Sequence, residues 1–127
     1  TDDQKEFVNK LCSSFGKVMP LSESYFPLFC SIAGCAPAYA YMFIDSLARS
    51  AVKNGMNKSV ALEIAAQTVL GSAKKILESD EHPWELIDKV CSPGGTTIEG
   101  IVSLQKDGFE SAVCNAVDAA LQKDKKV

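Results

Sequence analysis

The chain has 127 residues, 46% of them hydrophobic and 23% charged, which suffices for one globular domain with a real core, or one domain and a fragment. Thirteen basic against 16 acidic residues give a net charge of −3, and the basic side chains are dispersed apart from Lys123, Lys125 and Lys126, so the basic stripe of a nucleic-acid surface is missing. Five cysteines (Cys12, Cys30, Cys35, Cys91, Cys114) with no CxxC pair, and a single histidine, His82, exclude a disulfide framework and a zinc site.

Most of these thiols lie among apolar or small neighbours, which predicts reduced core residues and a reducing, cytoplasmic compartment. No unbroken apolar run reaches the ~18 residues of a membrane span, and Thr1-Asp2-Asp3-Gln4 lacks the basic start of a signal peptide. Neither membrane nor nucleic acid is expected as a partner. Because Thr1 is not a translation start, the chain is expected to be processed or to be a piece of a longer protein.

In chain order, Phe7, Val8, Leu11, Cys12 and Phe15 recur at helical spacing behind the capping candidates Asp2 and Asp3, and Gly16 suits the stop. Lys17 to Leu21 is apolar but broken by Pro20, fitting an edge strand or an extended link. Ser22 is positioned to cap a short helix through Phe29, after which Ala33 to Pro37 reads as a turn with proline at the first position of a long helix. That helix is expected to reach about Asn54, with an apolar face of Ala40, Phe43, Ile44, Leu47 and Ala51 and an Asp45 to Arg49 pair at i,i+4.

Gly55 ends it and Asn57 caps the next helix, whose stripe of Leu62, Ala65, Ala66, Val69, Leu70, Ala73 and Leu77 predicts an antiparallel hairpin. Its alanines, with Gly71 and Ser72, predict a close helix seam within the chain or between chains. Pro83 opens a shorter helix to about Val90, and Pro93-Gly94-Gly95 breaks the chain before Thr96, which with Glu99 reads as a capping box. Asp107-Gly108 stops that helix. The last runs from Phe109 to about Lys123 and dissolves into Lys123-Asp124-Lys125-Lys126. The fold expected is all-α: a helical hairpin plus shorter helices.

Chemistry concentrates at the helix beginning at Thr96. Two glycines precede it, so the amides of Gly95, Thr96, Thr97 and Ile98 lack shielding side chains and, with the partial positive charge of a helix N-terminus, form an anion site. Hydroxyls of Ser92, Thr96 and Thr97 add donors and acceptors. The plainer alternative is a glycine turn before an ordinary capped helix.

The string Val90-Cys91-Ser92-Pro93-Gly94-Gly95-Thr96-Thr97-Ile98-Glu99-Gly100-Ile101, with Leu104, resembles the signature of pyrroline-5-carboxylate reductases. Ala36-Pro37-Ala38-Tyr39, Ala66 to Gly71, His82-Pro83 with Leu86 and Asp88, and Gly108-Phe109 with Ala116-Val117 recur in that family's order, so the resemblance runs from about Ser31 to Lys123. It implies the C-terminal part of an oxidoreductase that reduces 1-pyrroline-5-carboxylate to L-proline with NADP or NAD, active only with its partner domain. Residues 22–127 would be the substrate-binding and dimerisation domain, an intertwined homodimer or higher homo-oligomer. Residues 1–21 would be the last helix and strand of a Rossmann domain holding the cofactor.

By position, the resemblance assigns substrate binding to Ser92, Gly94, Gly95, Thr96 and Thr97 and the catalytic hydroxyl to Thr97. Cofactor-binding and metal-ligating residues are expected in neither segment. Where the family usually reads Ser-Gly-Ser-Gly-Pro-Ala-Tyr, this chain has Ala33-Gly34-Cys35-Ala36-Pro37-Ala38-Tyr39, which narrows that turn.

His82 reads as a cap or surface group rather than a general acid, Trp84, Tyr39 and Tyr41 as core or interface, and Glu63, Glu78 and Glu81 as solvated helix charges. Cys35 and Cys91 would be reactive only if partly exposed at a helix N-terminus, and nothing here requires a thiol nucleophile. Two rivals stand beside the enzyme: a non-catalytic helical dimerisation module, and another two-domain dehydrogenase, which would need a reacting-centre lysine that the stretch from Val90 to Gln105 lacks.

Overall fold

A computed structural model describes residues 1–124. Helix α1 spans Asp2–Ser13; α2, Phe26–Phe29; α3, Ala36–Lys53; α4, Lys58–Glu78; α5, Pro83–Val90; α6, Thr96–Lys106; α7, Phe109–Asp124. No strand occurs among the described residues, so the expected all-α class holds. Residues 17–22 form the extended link, and the expected strand remnant is missing: these residues have no sheet to join. Lys125 and Lys126 of the expected tail lie outside the described residues, while Lys123 and Asp124 belong to α7.

Helix α1 starts one residue earlier in its logic than the sequence suggests. Thr1, not Asp2 or Asp3, is the cap, forming a capping box with Gln4, and the two aspartates occupy the first turn, where their charge suits the helix dipole. It ends at Ser13 with Ser14 as C-cap, before Gly16 is reached. Phe7, Val8, Leu11 and Phe15 all face solvent in this chain.

From Glu23 the chain stays helical to Lys53, and the turn expected at Ala33 to Pro37 is not made. A 3-10 turn at Glu23–Tyr25 feeds α2, and a π-helical segment at Cys30–Cys35 joins α2 to α3. Pro37 explains the π register. Its ring would collide with the carbonyl four residues back and it has no amide to give, so widening the preceding turn keeps the helix continuous. Ser22 stands at the start but makes no capping bond, its hydroxyl lying 2.9 Å from that of Ser24.

The run Glu23–Lys53 averages a hydropathy of 1.4 over its most apolar 18-residue window, long and apolar enough to cross a membrane by length and composition. The unbroken apolar runs are short because Ser31, Gly34, Pro37 and Asp45 interrupt them, while the alanines, cysteines and larger apolar residues between keep the average high.

Helices α3 and α4 form the antiparallel hairpin. Gly55, at φ 95°, turns the chain out of α3, and the Asn57 side chain caps α4 by accepting from the Ser59 amide at 2.9 Å. The seam is built of alanines: Ala48 from α3 meets Ala61 and Ala65 from α4, and these are the buried apolar side chains among the described residues. The larger members of the expected stripes point elsewhere, with Leu47, Leu62, Leu70 and Leu77 exposed. Gly71, expected in the seam, has nothing within 4 Å of where a Cβ would sit. Two small faces meeting allow close helix approach, but they leave the bulky faces uncovered.

Asp45 ties the hairpin near its connecting turn, pairing with Arg49 one turn on and with Lys58 Nζ at the start of α4 at 2.9 Å. At the other side α7 packs back on the π segment and α2. Tyr39 donates its hydroxyl to the Ala116 carbonyl at 3.3 Å, and Phe43 meets Phe109 with ring centroids 5.9 Å apart.

Candidate functional site

The segment from His82 to Ile98 is a pair of helix starts joined by a turn. His82 caps α5, its Nδ1 accepting from the Trp84 amide at 3.3 Å while Glu85 returns a carboxylate oxygen to the His82 amide at 3.0 Å. That is the capping role expected of this histidine. Glu81 lies in the turn before α5 rather than on a helix; it is half-buried and ion-paired with Lys89. The Lys89 ammonium holds the Glu81 carboxyl below its usual range.

After Cys91 the backbone makes a tight turn in which the Gly95 amide donates to the Ser92 carbonyl at 2.9 Å. Pro93 supplies the first corner and Gly94, at φ 68°, the second, a conformation that L side chains resist. Gly95 is then the N-cap of α6, with Thr96 and Thr97 its first two residues. The expected capping box between Thr96 and Glu99 is therefore not formed: Thr96 sits one place inside the helix, and no side chain caps this end. The amides offered at the helix start are those of Thr96, Thr97 and Ile98, because Gly95 has spent its own on the turn.

Gly95 also differs from expectation in what its bare α-carbon allows. A Cβ there would come within 3.0 Å of the Ser92 carbonyl oxygen, so the glycine makes room for its own turn, whereas at Gly94 the space is open and the φ angle is the constraint.

Of the residues assigned to the substrate site from sequence, Ser92, Gly94, Gly95 and Thr96 shape the turn, and Thr97 is the one that lines a cavity. That cavity, about 640 Å³, lies between α4, α5 and α6. Ile87, Val90 and Ile101 give it apolar walls, and Gln67, Thr68, Ser72, Lys75 and Lys89 are its polar groups beside Thr97. Sequence reading had passed over these lysines. The available signal was spacing, since Thr68, Ser72 and Lys75 stand at i, i+4 and i+7 and share one face of α4. Of the aromatic residues, Tyr39 is half-buried against α7, and Tyr41 and Trp84 are exposed. No group of three or more metal-ligating side chains occurs among the described residues.

A helical hairpin whose own seam consists of alanines and whose larger apolar side chains face outward defines an all-α association domain. The matching family model is pyrroline-5-carboxylate reductase dimerisation, over residues 23–127. The chain belongs to that family. It is 43% identical to a pyrroline-5-carboxylate reductase of Escherichia coli (strain K12) over 113 residues, covering 89% of this chain and 42% of that protein. It is 38% identical to one of Glycine max over all 127 residues, 46% of that protein. Among solved structures, 1-pyrroline-5-carboxylate reductase of Streptococcus pyogenes superposes with a TM-score of 0.95 at 42% identity, over 100% of this chain and 49% of that one. Plasmodium falciparum pyrroline carboxylate reductase with NADP bound superposes at 0.92 with 37% identity, over 99% and 51%. The chain thus spans about half the length of the relatives it matches.

Proposed function

We propose that this chain is the dimer-forming and substrate-receiving part of an oxidoreductase that reduces 1-pyrroline-5-carboxylate to L-proline. The observation that carries the reading is the Ser92 to Thr97 turn, which presents an uncapped helix start beside a cavity into which Thr97 projects, within a family match over residues 23–127. A non-catalytic dimerisation module would need no such opening.

The substrate carboxylate would sit at the amides of Thr96, Thr97 and Ile98, where the helix dipole favours an anion by ~0.3–1 kcal/mol and by more when partly buried. Ser92, Gly94 and Gly95 would hold those amides in place. The Thr97 hydroxyl would approach the ring nitrogen. When the C=N bond is reduced at carbon, the nitrogen becomes basic, and a hydroxyl there orients its lone pair and passes a proton to it.

The reduced form of NADP or NAD, NADPH or NADH, would supply the hydride and leave as NADP or NAD, and the NADP-bound Plasmodium falciparum structure favours NADP. The residues described here do not themselves suit the dinucleotide: no strand leads into a glycine-rich turn and helix. In this reading residues 1–21 belong to a separate cofactor domain. The family match beginning at residue 23 and the uncovered apolar face of α1 support that boundary. A homodimer or larger assembly would cover Leu47, Met42 and the other exposed apolar groups of the long helices, including the membrane-length run. The five thiols are not the core residues expected, since Cys30, Cys35 and Cys114 are exposed and Cys12 and Cys91 half-buried; being free, they fit a reducing, cytoplasmic setting.

The experiment is a direct assay of the full-length protein. Oxidation of NADPH or NADH that depends on 1-pyrroline-5-carboxylate, with proline as product, supports the reading; a folded full-length protein without it contradicts the reading.

A further inference from the structure

Lys75 stands on the wall of the cavity that Thr97 also lines. The other lysine of that wall, Lys89, is neutralised by its pairing with Glu81, and the neighbouring Lys74 pairs with Glu78 at 3.8 Å. Among the described residues Lys75 has no carboxylate within ion-pair distance, so it is the uncompensated charge of the cavity.

We propose that Lys75 is a steering residue that draws the anionic substrate into the cavity and toward the α6 amides, without touching the reacting atoms. This rests on the functional reading above. The cavity is roughly 11 Å across if round, comparable with the ~8 Å over which exposed charges act at physiological ionic strength. A single lysine at that range acts on a carboxylate during approach, and low-dielectric walls such as Ile87, Val90 and Ile101 focus its field. An ammonium that does not touch the reacting atoms acts alike on the bound substrate and on the transition state, so its effect falls on kcat/KM and not on the chemical step.

The test is steady-state kinetics of the full-length protein at low and high salt. Lys75→Met should lower kcat/KM for 1-pyrroline-5-carboxylate by about 3- to 10-fold at ~20 mM salt with kcat unchanged, and Lys75→Glu by more. At ~0.5 M salt the differences should shrink to near parity, because the charge is screened. Lys75→Arg should keep the wild-type profile, a rescue that a packing role for the stem alone would not discriminate by salt. Wild-type activity with the same kcat/KM and salt dependence in Lys75→Met and Lys75→Glu overturns the steering role while leaving the reductase reading standing. A fall in kcat at both salt concentrations overturns it too, assigning Lys75 to the chemical step or to the fold. A full-length wild type without reductase activity overturns both.

Discussion

Gly95 is bound to Ser92 twice over: its amide donates to the Ser92 carbonyl at 2.9 Å, and its missing side chain leaves room for that same oxygen, which a Cβ would approach to 3.0 Å. Gly95→Ala should therefore push the turn open by a few tenths of an ångström and tilt the first amides of α6. Gly94→Ala should cost stability by another route, since φ 68° is strained by ~1–2 kcal/mol for an L side chain. In thermal denaturation both variants should melt below wild type, and in kinetics of the full-length protein both should raise KM. Wild-type melting and KM in Gly95→Ala would show that the turn has slack to absorb the methyl.

Tyr39 links α3 to α7 through its hydroxyl on the Ala116 carbonyl, and the site is half-buried. Removing only that oxygen, as in Tyr39→Phe, should destabilise the fold by ~0.5–1.5 kcal/mol while leaving the ring in place. Chemical denaturation checks it; an unchanged midpoint would mean that water replaces the phenol without loss.

Much of this architecture could be read directly. Gly55, Asn57, Pro83 and Gly108 mark helix ends because each has one local physical reason to be there, and all four act as the sequence suggests. Where two readings competed locally, the sequence did not decide. Ala33 to Pro37 contains glycine and proline and reads as a turn, yet a π register over Cys30–Cys35 accommodates the proline within one helix. Thr96 and Glu99 have the spacing of a capping box, but Gly95 takes the cap position and shifts them by one. Nor does a period of 3.6 say which apolar face meets its own chain: Ala48, Ala61 and Ala65 form the seam, and the leucines are left for other surfaces. The Ser92 to Thr97 turn and the helix start after it are legible in the sequence; the cavity beside them is not, because Lys75 and Ile87 reach it through tertiary packing.

Asp45 should make the hairpin acid-sensitive. Its hydrogen bond from Arg49, reinforced by Lys58, holds its carboxyl below the usual value and raises the Arg49 guanidinium. A depressed carboxylate stabilises the fold at pH above its unfolded value of about 3.9, and that contribution is lost as pH falls through the lower folded value. Melting temperature should thus decline below pH ~4 in the wild type, and Asp45→Asn should show a shallower decline. Equal acid slopes in the two proteins would assign the effect to other carboxylates, Glu81 among them.

The outward leucines and aromatics call for a partner. An obligate-type dimer burying more than ~2,000 Å² is expected at micromolar concentration. Met42, on α3 and 70% exposed, offers a probe, because a charge placed there costs little in a lone chain and much under a second one. Light scattering should give a dimer or larger species for wild type and a smaller species for Met42→Glu. A monomeric wild type would refute the association reading.

If Thr97 serves substrate reduction, the Thr97→Ala and Thr97→Ser pair in the full-length protein separates its hydroxyl from its backbone. Alanine leaves the Thr96, Thr97 and Ile98 amides in place and removes only the hydroxyl at the cavity. We predict that kcat for 1-pyrroline-5-carboxylate falls by ~10- to 1,000-fold in Thr97→Ala with KM changed much less, and that Thr97→Ser recovers most of the loss. A Thr97→Ala enzyme with wild-type kcat would contradict the account and leave the residue no role beyond the first turn of α6.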